Sequence, residues 1–489
     1  MRRRICLLGV VVILIASVLV PVQAQVQQSF KPITYAGVRF SGSLRVRPET
    51  WDWFDTSAAE PNYTDFASLL KLNFSQERER WDWQLEFAQP LLLNLPEKSV
   101  APAPQGQLGL GATYFVSNGS SETAGLFLKQ GFVRWKGIFG DKPSSLRVGR
   151  FEVVDGSETT PKDATLAALK RERIAHRLIG TFVFSHVGRS FDGVQYVRGV
   201  PSTNFTLLAG RATRGVFRVN GWGDIDTDIV YGALTHSVGK NSPGEWRLFG
   251  LGYHDGRRVT KADNRPAAAI AADQHNIRIA TLGGNYLQTA KTGSGTADLL
   301  LWGTWQFGSW GVLDHRAGAM AVEGGFQPKL KLKPWFRGGY SYSTGDSDPN
   351  DTRHETFFQV LPTPRIYARF PFFNMMNNED AFAELILRPH PKWTTRSDAH
   401  FLRLSNAHDL WYSGGGAFQQ QKVFGYTGRP SHGSQSLANL YDLSVDYQVN
   451  PHLTLTGYYA LATGRTVIEK TYPGGAIGQL GFAELNWKF

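Results

Sequence analysis

Basic residues alternate with apolar residues in a segment near the N-terminus, and their spacing indicates what chemistry the segment can do. One face carries three arginines and a carboxylate, namely Arg39, Arg45, Arg47 and Glu49. The other face is apolar, with Val38, Phe40, Leu44 and Val46. A guanidinium can donate two parallel hydrogen bonds to a carboxylate or phosphate, so we expect this face to recognise anions. The period of two is that of a β-strand, whose successive side chains point to opposite faces.

Five further basic residues belong to segments of the same kind and are also candidates for anion recognition. They are Lys71, Arg134, Arg147, Arg150 and Arg337. An arginine that faces lipid near the middle of a membrane costs about 2–4 kcal/mol, so we expect these cations to face a water-filled lumen. The alternation, however, puts Arg150 on the face of Leu146 and Val148 unless a bulge intervenes. A lumen in which acids such as Glu323 and Asp442 balance the arginines is an equal alternative to a dedicated anion path.

The elements that would position these residues are short alternating strands, which recur along the whole chain. Short turns are predicted near residues 77–80, 138–144, 199–203, 239–244, 291–296, 329–333, 391–394 and 450–451. Longer connections are predicted near residues 53–65, 90–125, 154–188, 214–226, 255–275, 308–315, 344–379, 406–436 and 463–475. The two kinds alternate, as do the turns and loops of membrane barrels. They predict an all-β fold, a transmembrane antiparallel β-barrel of about 18 strands.

The composition is that of such a barrel. The chain has 489 residues, of which 52 are glycine, 13 % are aromatic and only 19 % are charged. No run of 18 apolar residues follows residue 24, so the sequence offers no transmembrane helix. Several tryptophans are expected in the interfacial belts at the strand ends, namely Trp51, Trp53, Trp81, Trp83 and Trp487.

The N-terminus is typical of a secretory signal peptide over residues 1–24, which leaves residues 25–489 for the barrel. Arginines at positions 2–4 precede an almost wholly apolar stretch over 5–20, and small residues follow for cleavage. The only cysteine, Cys6, lies in this segment, so disulfide and thiol chemistry are not expected of the exported chain. The formal net charge of +11 then favours an anionic small molecule, polymer or lipid head group over nucleic acid as a partner.

Two predicted loop segments have a composition of their own. Residues 163–177 favour a short basic helix, which is more often a solvated surface helix but could fold into the pore and narrow it. Residues 346–351 hold several acidic side chains, but they lack the later glycine and final glutamate of a calcium-binding loop. We therefore predict no metal site. No hydrolase, protease or nucleotide-binding motif occurs either, so we predict no catalytic residue, no cofactor and no enzyme activity.

Several short runs resemble the bacterial alginate-export porin family of outer membranes. They are residues 44–51 (LRVRPETW), 128–135 (LKQGFVRW), 146–152 (LRVGRFE), 191–193 (FDG) and the C-terminal 487–489 (WKF). The resemblance implies an 18-stranded monomeric barrel with an arginine-rich lumen for an anionic uronate polymer. By the motif match, it implies lumen positions for Arg45, Arg47, Arg134, Arg147 and Arg150.

The predicted function is a channel in the outer membrane of a Gram-negative bacterium. Its cargo would be an anionic solute or polysaccharide of uronate type, such as alginate. Its other expected partners are outer-membrane lipids and the barrel-insertion machinery, which would recognise the aromatic last strand. A non-catalytic structural or adhesive barrel is the first alternative. An outer-membrane enzyme that uses one serine and one histidine from adjacent strands is the second.

Overall fold

The computed structural model describes residues 33–239, 242–363 and 369–489, and the signal peptide predicted over 1–24 lies outside these ranges. Eighteen long strands form the wall of a closed antiparallel barrel, as the sequence predicted. They are β1 (Val38–Asp52), β2 (Asn62–Glu77), β3 (Trp81–Leu93), β4 (Phe127–Lys136), β5 (Ser144–Phe151), β6 (Phe191–Val200), β7 (Thr203–Thr213), β8 (Asp224–Val238), β9 (Gly244–Asp255), β10 (Ile277–Lys291), β11 (Gly295–Trp310), β12 (Leu313–Pro328), β13 (Trp335–Ser343), β14 (Glu379–His390), β15 (Trp393–Arg403), β16 (Ser436–Gln448), β17 (Leu453–Gly464) and β18 (Ile477–Lys488).

The barrel closes where the last strand pairs with the first. Leu44 lies opposite Trp487, and Asp52 lies opposite Gln479. The terminal Phe489 continues this pairing, because its backbone exchanges hydrogen bonds of 2.7 and 3.0 Å with Gly42. A Cβ atom at position 42 would lie 2.5 Å from the Phe489 ring, so only glycine lets the terminal aromatic ring lie against β1.

One end of the barrel carries short turns and the other carries loops. The turn end has connections at 78–80, 137–143, 201–202, 239–243, 292–294, 329–334, 391–392 and 449–452. The loop end has connections at 53–61, 94–126, 152–190, 214–223, 256–276, 311–312, 344–378, 404–435 and 465–476. The long connection predicted over 308–315 was wrong. β11 and β12 are joined by Gly311 and Val312 alone, and a positive φ of 63° at Gly311 makes this tight hairpin possible.

Side chains alternate across the wall as a lipid face and a lumen face require. Outward residues of β8 to β12 are large, apolar and exposed, namely Val230, Leu248, Leu282, Trp305 and Met320. The intervening inward positions are often polar and buried, namely Thr227, Thr235, Arg247, Asn285 and Gln306. The belt prediction was wrong for Trp51 and Trp53, which are buried inside the barrel, whereas Trp81 and Trp487 are exposed on its surface.

Loops fill much of the interior near the loop end. They include four short helices, α1 (Leu110–Asn118), α2 (Ala164–Leu169), α3 (Ala267–Ala272) and α4 (Thr466–Thr471). The aromatic rings of Trp53, Phe54, Phe370, Phe372 and Trp411 belong to these loops and pack against one another. Within the described ranges, no helix has the length and apolar character needed to cross a membrane.

Candidate functional site in the barrel lumen

The connection between β5 and β6 folds into the lumen, and we call residues 152–190 the inner loop. Its helix α2 begins after Asp163, whose carboxylate caps the backbone N–H groups of Thr165 and Leu166. One turn of π-helix, Lys170–Ile174, follows and is largely buried. Lys170 lies 2.6 Å from Glu245 of β9. The expectation of a solvated surface helix over 163–177 was therefore wrong, because buried carboxylates of the wall pair with its basic residues.

Glu323 of β12 is the centre of this attachment. Arg173 and Arg177 of the inner loop lie 2.8 and 2.9 Å from its carboxylate. Arg337 of β13 lies 3.3 Å from Glu323 and 3.3 Å from Asp298, and its side chain is only 1 % exposed. Arg337 thus faces the lumen but is covered by the inner loop and neutralised by acids, so it is not available to a solute.

The second limb of the inner loop crosses to the opposite wall, where β1 holds it. The guanidinium of Arg45 donates to the backbone carbonyls of Val183 and Ser185, each at 2.5 Å. Arg47 donates to the carbonyl of Phe184 at 2.6 Å and is paired with Glu49 at 2.7 Å. Both arginines are inside the barrel. Arg47 is fully buried, however, and Arg45 keeps only a small exposed surface.

Beside this contact, lysines and carboxylates of neighbouring strands form a mixed cluster. Lys71 of β2 lies 3.1 Å from Glu86 of β3 and 3.9 Å from Glu152, and it is 24 % exposed. Lys129 of β4 lies 3.5 Å from Glu152. Burial alone would raise the pKa of Glu152, but Lys129 and Lys71 outweigh it and hold that pKa below its usual range. Glu152 is therefore ionised at neutral pH.

The next two cations of this wall differ in their partners. Arg134 of β4 forms a bidentate pair with Asp82, with a shortest distance of 2.7 Å, and is 44 % exposed. Arg147 of β5, directly opposite Arg134 in the sheet, donates to Gln195 at 2.6 Å. Its guanidinium lies 4.0 Å from the centroid of the Phe151 ring. In the described ranges, Arg147 has no carboxylate within 4.0 Å.

Two other predicted residues lie apart from these cations. Arg150 is on the outward face that it shares with the exposed Val148, and it pairs with Asp192 at 2.6 Å. No bulge in β5 turns it inward, because the register with β6 is continuous from Ser144 to Phe151. Arg39 lies on the inward face of β1 but at the turn end, where it is exposed.

The structure therefore places Arg45, Lys71, Arg134 and Arg147 on one side of the lumen, on the neighbouring strands β1, β2, β4 and β5. We call these four residues the basic arc. On the wall from β14 to β18 the buried or half-buried charges are mostly acidic, namely Asp380, Glu384, Asp398, Asp442 and Glu484. Arg396 of β15 is the partner of Glu384 there, at 2.9 Å, and also pairs with Glu172 of the inner loop.

Lys129 and the arginines of the inner loop were missed as lumen residues at the level of sequence. Lys129 faces inward because β4 carries a bulge, where the register against β3 shifts between Glu86 and Phe87. No residue type in the sequence marks that shift.

The nearby His176 of the inner loop forms a hydrogen bond with Thr363 at 3.1 Å, and burial lowers its pKa to about 4. His176 is thus neutral at physiological pH and adds no charge to the lumen.

One group of side chains has the composition of a metal site. Asp226, Asp228 and His254 lie close together on the outward face of β8 and β9. Arg211 already bridges the two carboxylates, at 3.3 Å from Asp226 and 2.7 Å from Asp228. A cation would have to displace this guanidinium, so we assign no metal to the group. The acidic loop at 346–351 is not among such groups in the described part of the chain.

The closed barrel with inward-folded loops is the fold of outer-membrane porins. The structure is similar to that of OpdK of Pseudomonas aeruginosa with vanillate, with a TM-score of 0.54 and 9 % identity over 92 % of this chain and 98 % of that one. It is equally similar to OccK2 (OpdF) of Pseudomonas aeruginosa in complex with glucuronate, with a TM-score of 0.54, 9 % identity and the same coverage. OccAB4 of Acinetobacter baumannii gives a TM-score of 0.52 at 9 % identity, over 93 % of this chain and 98 % of that one.

The sequence itself matches the profile of the family described as alginate export over residues 105–472. The chain belongs to this family, as its short motifs indicated. No curated protein matches the sequence.

Proposed function

We propose that this protein is an outer-membrane channel for anionic solutes of the uronate type. The observation that carries the proposal is the setting of Arg147. Arg134 beside it is neutralised by Asp82 and Lys71 by Glu86, whereas Arg147 has only Gln195 and two aromatic rings around its guanidinium. A half-buried guanidinium without a carboxylate attracts a passing carboxylate, which would provide the missing two hydrogen bonds.

The rest of the basic arc supports passage rather than tight binding. Conduction requires sites that are weak enough for the solute to leave, and several adjacent sites allow transfer from one to the next. Lys71 and Arg134 fit this requirement because each keeps an exposed part while an acid balances its charge. The adjoining wall from β14 to β18 is mostly acidic, so the lumen has an uneven distribution of charge that would orient a solute with one acidic side.

The comparisons support a carboxylate as cargo. Vanillate and glucuronate, the ligands named for the similar structures of OpdK and OccK2, both carry a carboxylate, and glucuronate is a uronate. Alginate, a polymer of uronates, gives the family its name. For this chain the polymer and its single sugar are both candidates. The family favours the polymer, whereas the inner loop that spans from Glu323 to Arg45 favours a single uronate or a short oligomer.

The same proposal includes the place of the protein in the cell. It includes export by the signal peptide over 1–24 and a monomeric barrel. The alternation of short turns and longer loops supports an orientation in which the loop end faces the outside. The charged lumen residues of the site either form structural ion pairs or belong to the basic arc. We therefore propose a channel and not an enzyme.

The test is conductance of the purified protein in planar bilayers. With a gradient of potassium chloride the reversal potential should indicate anion preference. Added glucuronate or mannuronate oligomers should interrupt the chloride current in brief, concentration-dependent closures. Block by oligomers of many residues with no block by the single sugar would assign the channel to the polymer. A cation-selective current that neither ligand changes would refute the proposal.

A further inference from the structure

A row of polar residues crosses the outward face of six neighbouring strands near the loop end. Sheet register places them side by side from β7 to β12, since each residue pairs with the next. They are Arg211, Asp228, His254, Arg278, Ser309 and Asp314. Every one of them lies on the outside of the wall and not in the lumen, because the inward positions of these strands are the alternate ones.

This polar row forms the border, on the loop-end side, of a band of apolar residues on the outer surface of the barrel. Toward the turn end the next outward positions include Val230, Phe307, Leu282 and Trp305, all exposed. Trp246 and Tyr286 follow still nearer the turns, on the same outward face. A membrane barrel has such a band at the height of the acyl chains, with aromatic and polar residues at its borders. The row therefore lies at the height of the lipid head groups.

Within the row, an open polar pocket surrounds Arg278. Its other lining side chains come from the loop 256–276 and from β11, namely Arg258, Gln274, His275, Asn276 and Ser309. Arg258 adopts a positive φ of 53°, so the backbone of this loop is turned sharply at the pocket. All of these groups carry hydrogen-bond donors, and two of them are permanent cations.

The charges in this pocket are not balanced. Neither Arg258 nor Arg278 has a carboxylate within 4.0 Å among the described residues, in contrast to Arg211, which has two. Asp314 lies beside Ser309 in the polar row but is not within 4.0 Å of either guanidinium among the described residues. Asp273 lies 3.5 Å from His275 of the pocket. Asp273 is buried and already paired with Lys261 at 3.3 Å and Arg265 at 3.0 Å, so it does not neutralise the two exposed guanidiniums.

We propose that this pocket binds a phosphate group of a glycolipid head group in the leaflet at the loop end. Two unpaired guanidiniums with amide and hydroxyl donors form the donor set that a phosphate prefers. A basic pocket at the height of the lipid head groups lies in direct reach of such phosphates. The inference rests on the membrane placement in the proposed function but not on the channel activity.

The experiment is native mass spectrometry of the detergent-solubilised full-length barrel with three probes. These are bisphosphorylated lipid A, the same lipid after removal of its phosphates, and inorganic phosphate. We expect the wild type to retain the phosphorylated lipid. The double variant Arg258→Gln/Arg278→Gln should retain it about tenfold less, a change of roughly 1.4 kcal/mol. The matched control is Lys329→Gln/Lys331→Gln at the turn end, which removes the same charge and should retain the lipid like the wild type.

Three results would overturn the proposal. Equal retention of the dephosphorylated lipid would show that the phosphate is not recognised, and equal retention by the Arg258→Gln/Arg278→Gln variant would show that these arginines are not the site. Displacement of the lipid by inorganic phosphate at equal concentration would assign the pocket to the free ion. Bilayer conductance of the same preparations separates the two proposals, because the variant should conduct like the wild type whether or not the lipid binds.

Discussion

Arg173 Nε donates to Glu323 Oε2 at 2.8 Å across 150 residues of sequence, and this bond ties the inner loop to the far wall of the barrel. Arg177 and Arg337 converge on the same carboxylate. Removing one partner of a buried ion pair costs about 3–5 kcal/mol, because the remaining charge has no water to compensate it. Glu323 is therefore a main attachment of the inner loop to this side of the lumen.

We predict that Glu323→Gln releases the inner loop. Arg173 and Arg177 would then lose the carboxylate of Glu323, whereas Arg337 of the wall keeps Asp298, so the loop should leave the lumen for water. Single-channel conductance should rise, and trypsin should cleave the folded protein between residues 170 and 177. Glu77→Gln, at an exposed turn-end carboxylate, is the control and should change neither. Unchanged conductance and protection in Glu323→Gln would show that other contacts hold the loop.

Closure of the barrel should depend on the terminal aromatic ring. Phe489 packs on Phe40 and Trp487, with centroid distances of 6.2 and 4.8 Å, and its backbone is paired with Gly42. Deletion of Phe489 should reduce the heat-modifiable, assembled form on electrophoresis several-fold while the chain is still exported. Phe139→Ala, at a ring that is almost fully exposed in a turn, should assemble normally. Equal assembly of both variants would contradict this role.

Two loop-end connections should loosen as the pH rises. Asp346 and Asp409 are joined by a backbone N–H of Asp346 that donates to the Asp409 carboxylate at 3.0 Å. Burial raises the pKa of Asp346 to about 7 and that of Asp409 to about 6. Both values lie above that of an unfolded aspartate, so the packed loops bind protons that the released loops do not. Their packing is thus fully stable near pH 4 and is weakened as the pH rises through 6 to 7.

We expect proteolysis in loop 404–435, for example after Lys422, to be about tenfold faster at pH 8 than at pH 5 once the intrinsic rate of the protease is normalised. Asp346→Asn should remove most of this dependence. Glu60→Gln is the control, because Glu60 is an exposed carboxylate in another loop-end connection and does not contribute to the raised pKa of Asp346. Cleavage that follows the same pH profile in Asp346→Asn and the wild type would refute the assignment.

The strands were predictable from the sequence because a wall between lipid and water imposes an alternation of period two along each strand. The hairpin at Gly311 was not. Ser309 and Asp314 at its sides are polar and resemble a loop, although they are outward residues near the head groups. The position of the inner loop inside the lumen was not predictable either. Its attachment depends on Glu323, and nothing in the sequence distinguishes this residue from other acids of the lumen.

Where the alternation is regular, as at Arg45 and Arg147, the sequence predicted which face of the strand carries the arginine. It did not predict whether a solute in the lumen can reach that arginine. Arg47 lies between Glu49 and Glu484, and Arg337 lies between Glu323 and Asp298. These pairings come from strands distant in sequence, so no local pattern separates a structural arginine from one that meets a solute. Only the assembled lumen does so.

Selectivity should therefore depend most on Arg147. Arg147→Glu reverses the charge of the one cation of the basic arc that has no nearby carboxylate, and the new acid would face Arg134 across the strand pair. The channel should shift from anion toward cation preference, with a change in the reversal potential that is largest in dilute salt. Above about 1 M salt the Debye length falls to roughly 3 Å, and the shift should disappear.

The control is Arg198→Glu, at an arginine on the outward face near the turn end that is paired with Asp141 at 2.7 Å. It makes the same change of charge outside the lumen and should leave selectivity as in the wild type. Arg47→Glu is not a useful test, because it would place a buried carboxylate against Glu49 and Glu484 and disturb the wall itself. If Arg147→Glu conducts with the selectivity of the wild type in dilute salt, the basic arc does not line the path of the ions. The proposal of an anion channel would then have to be abandoned.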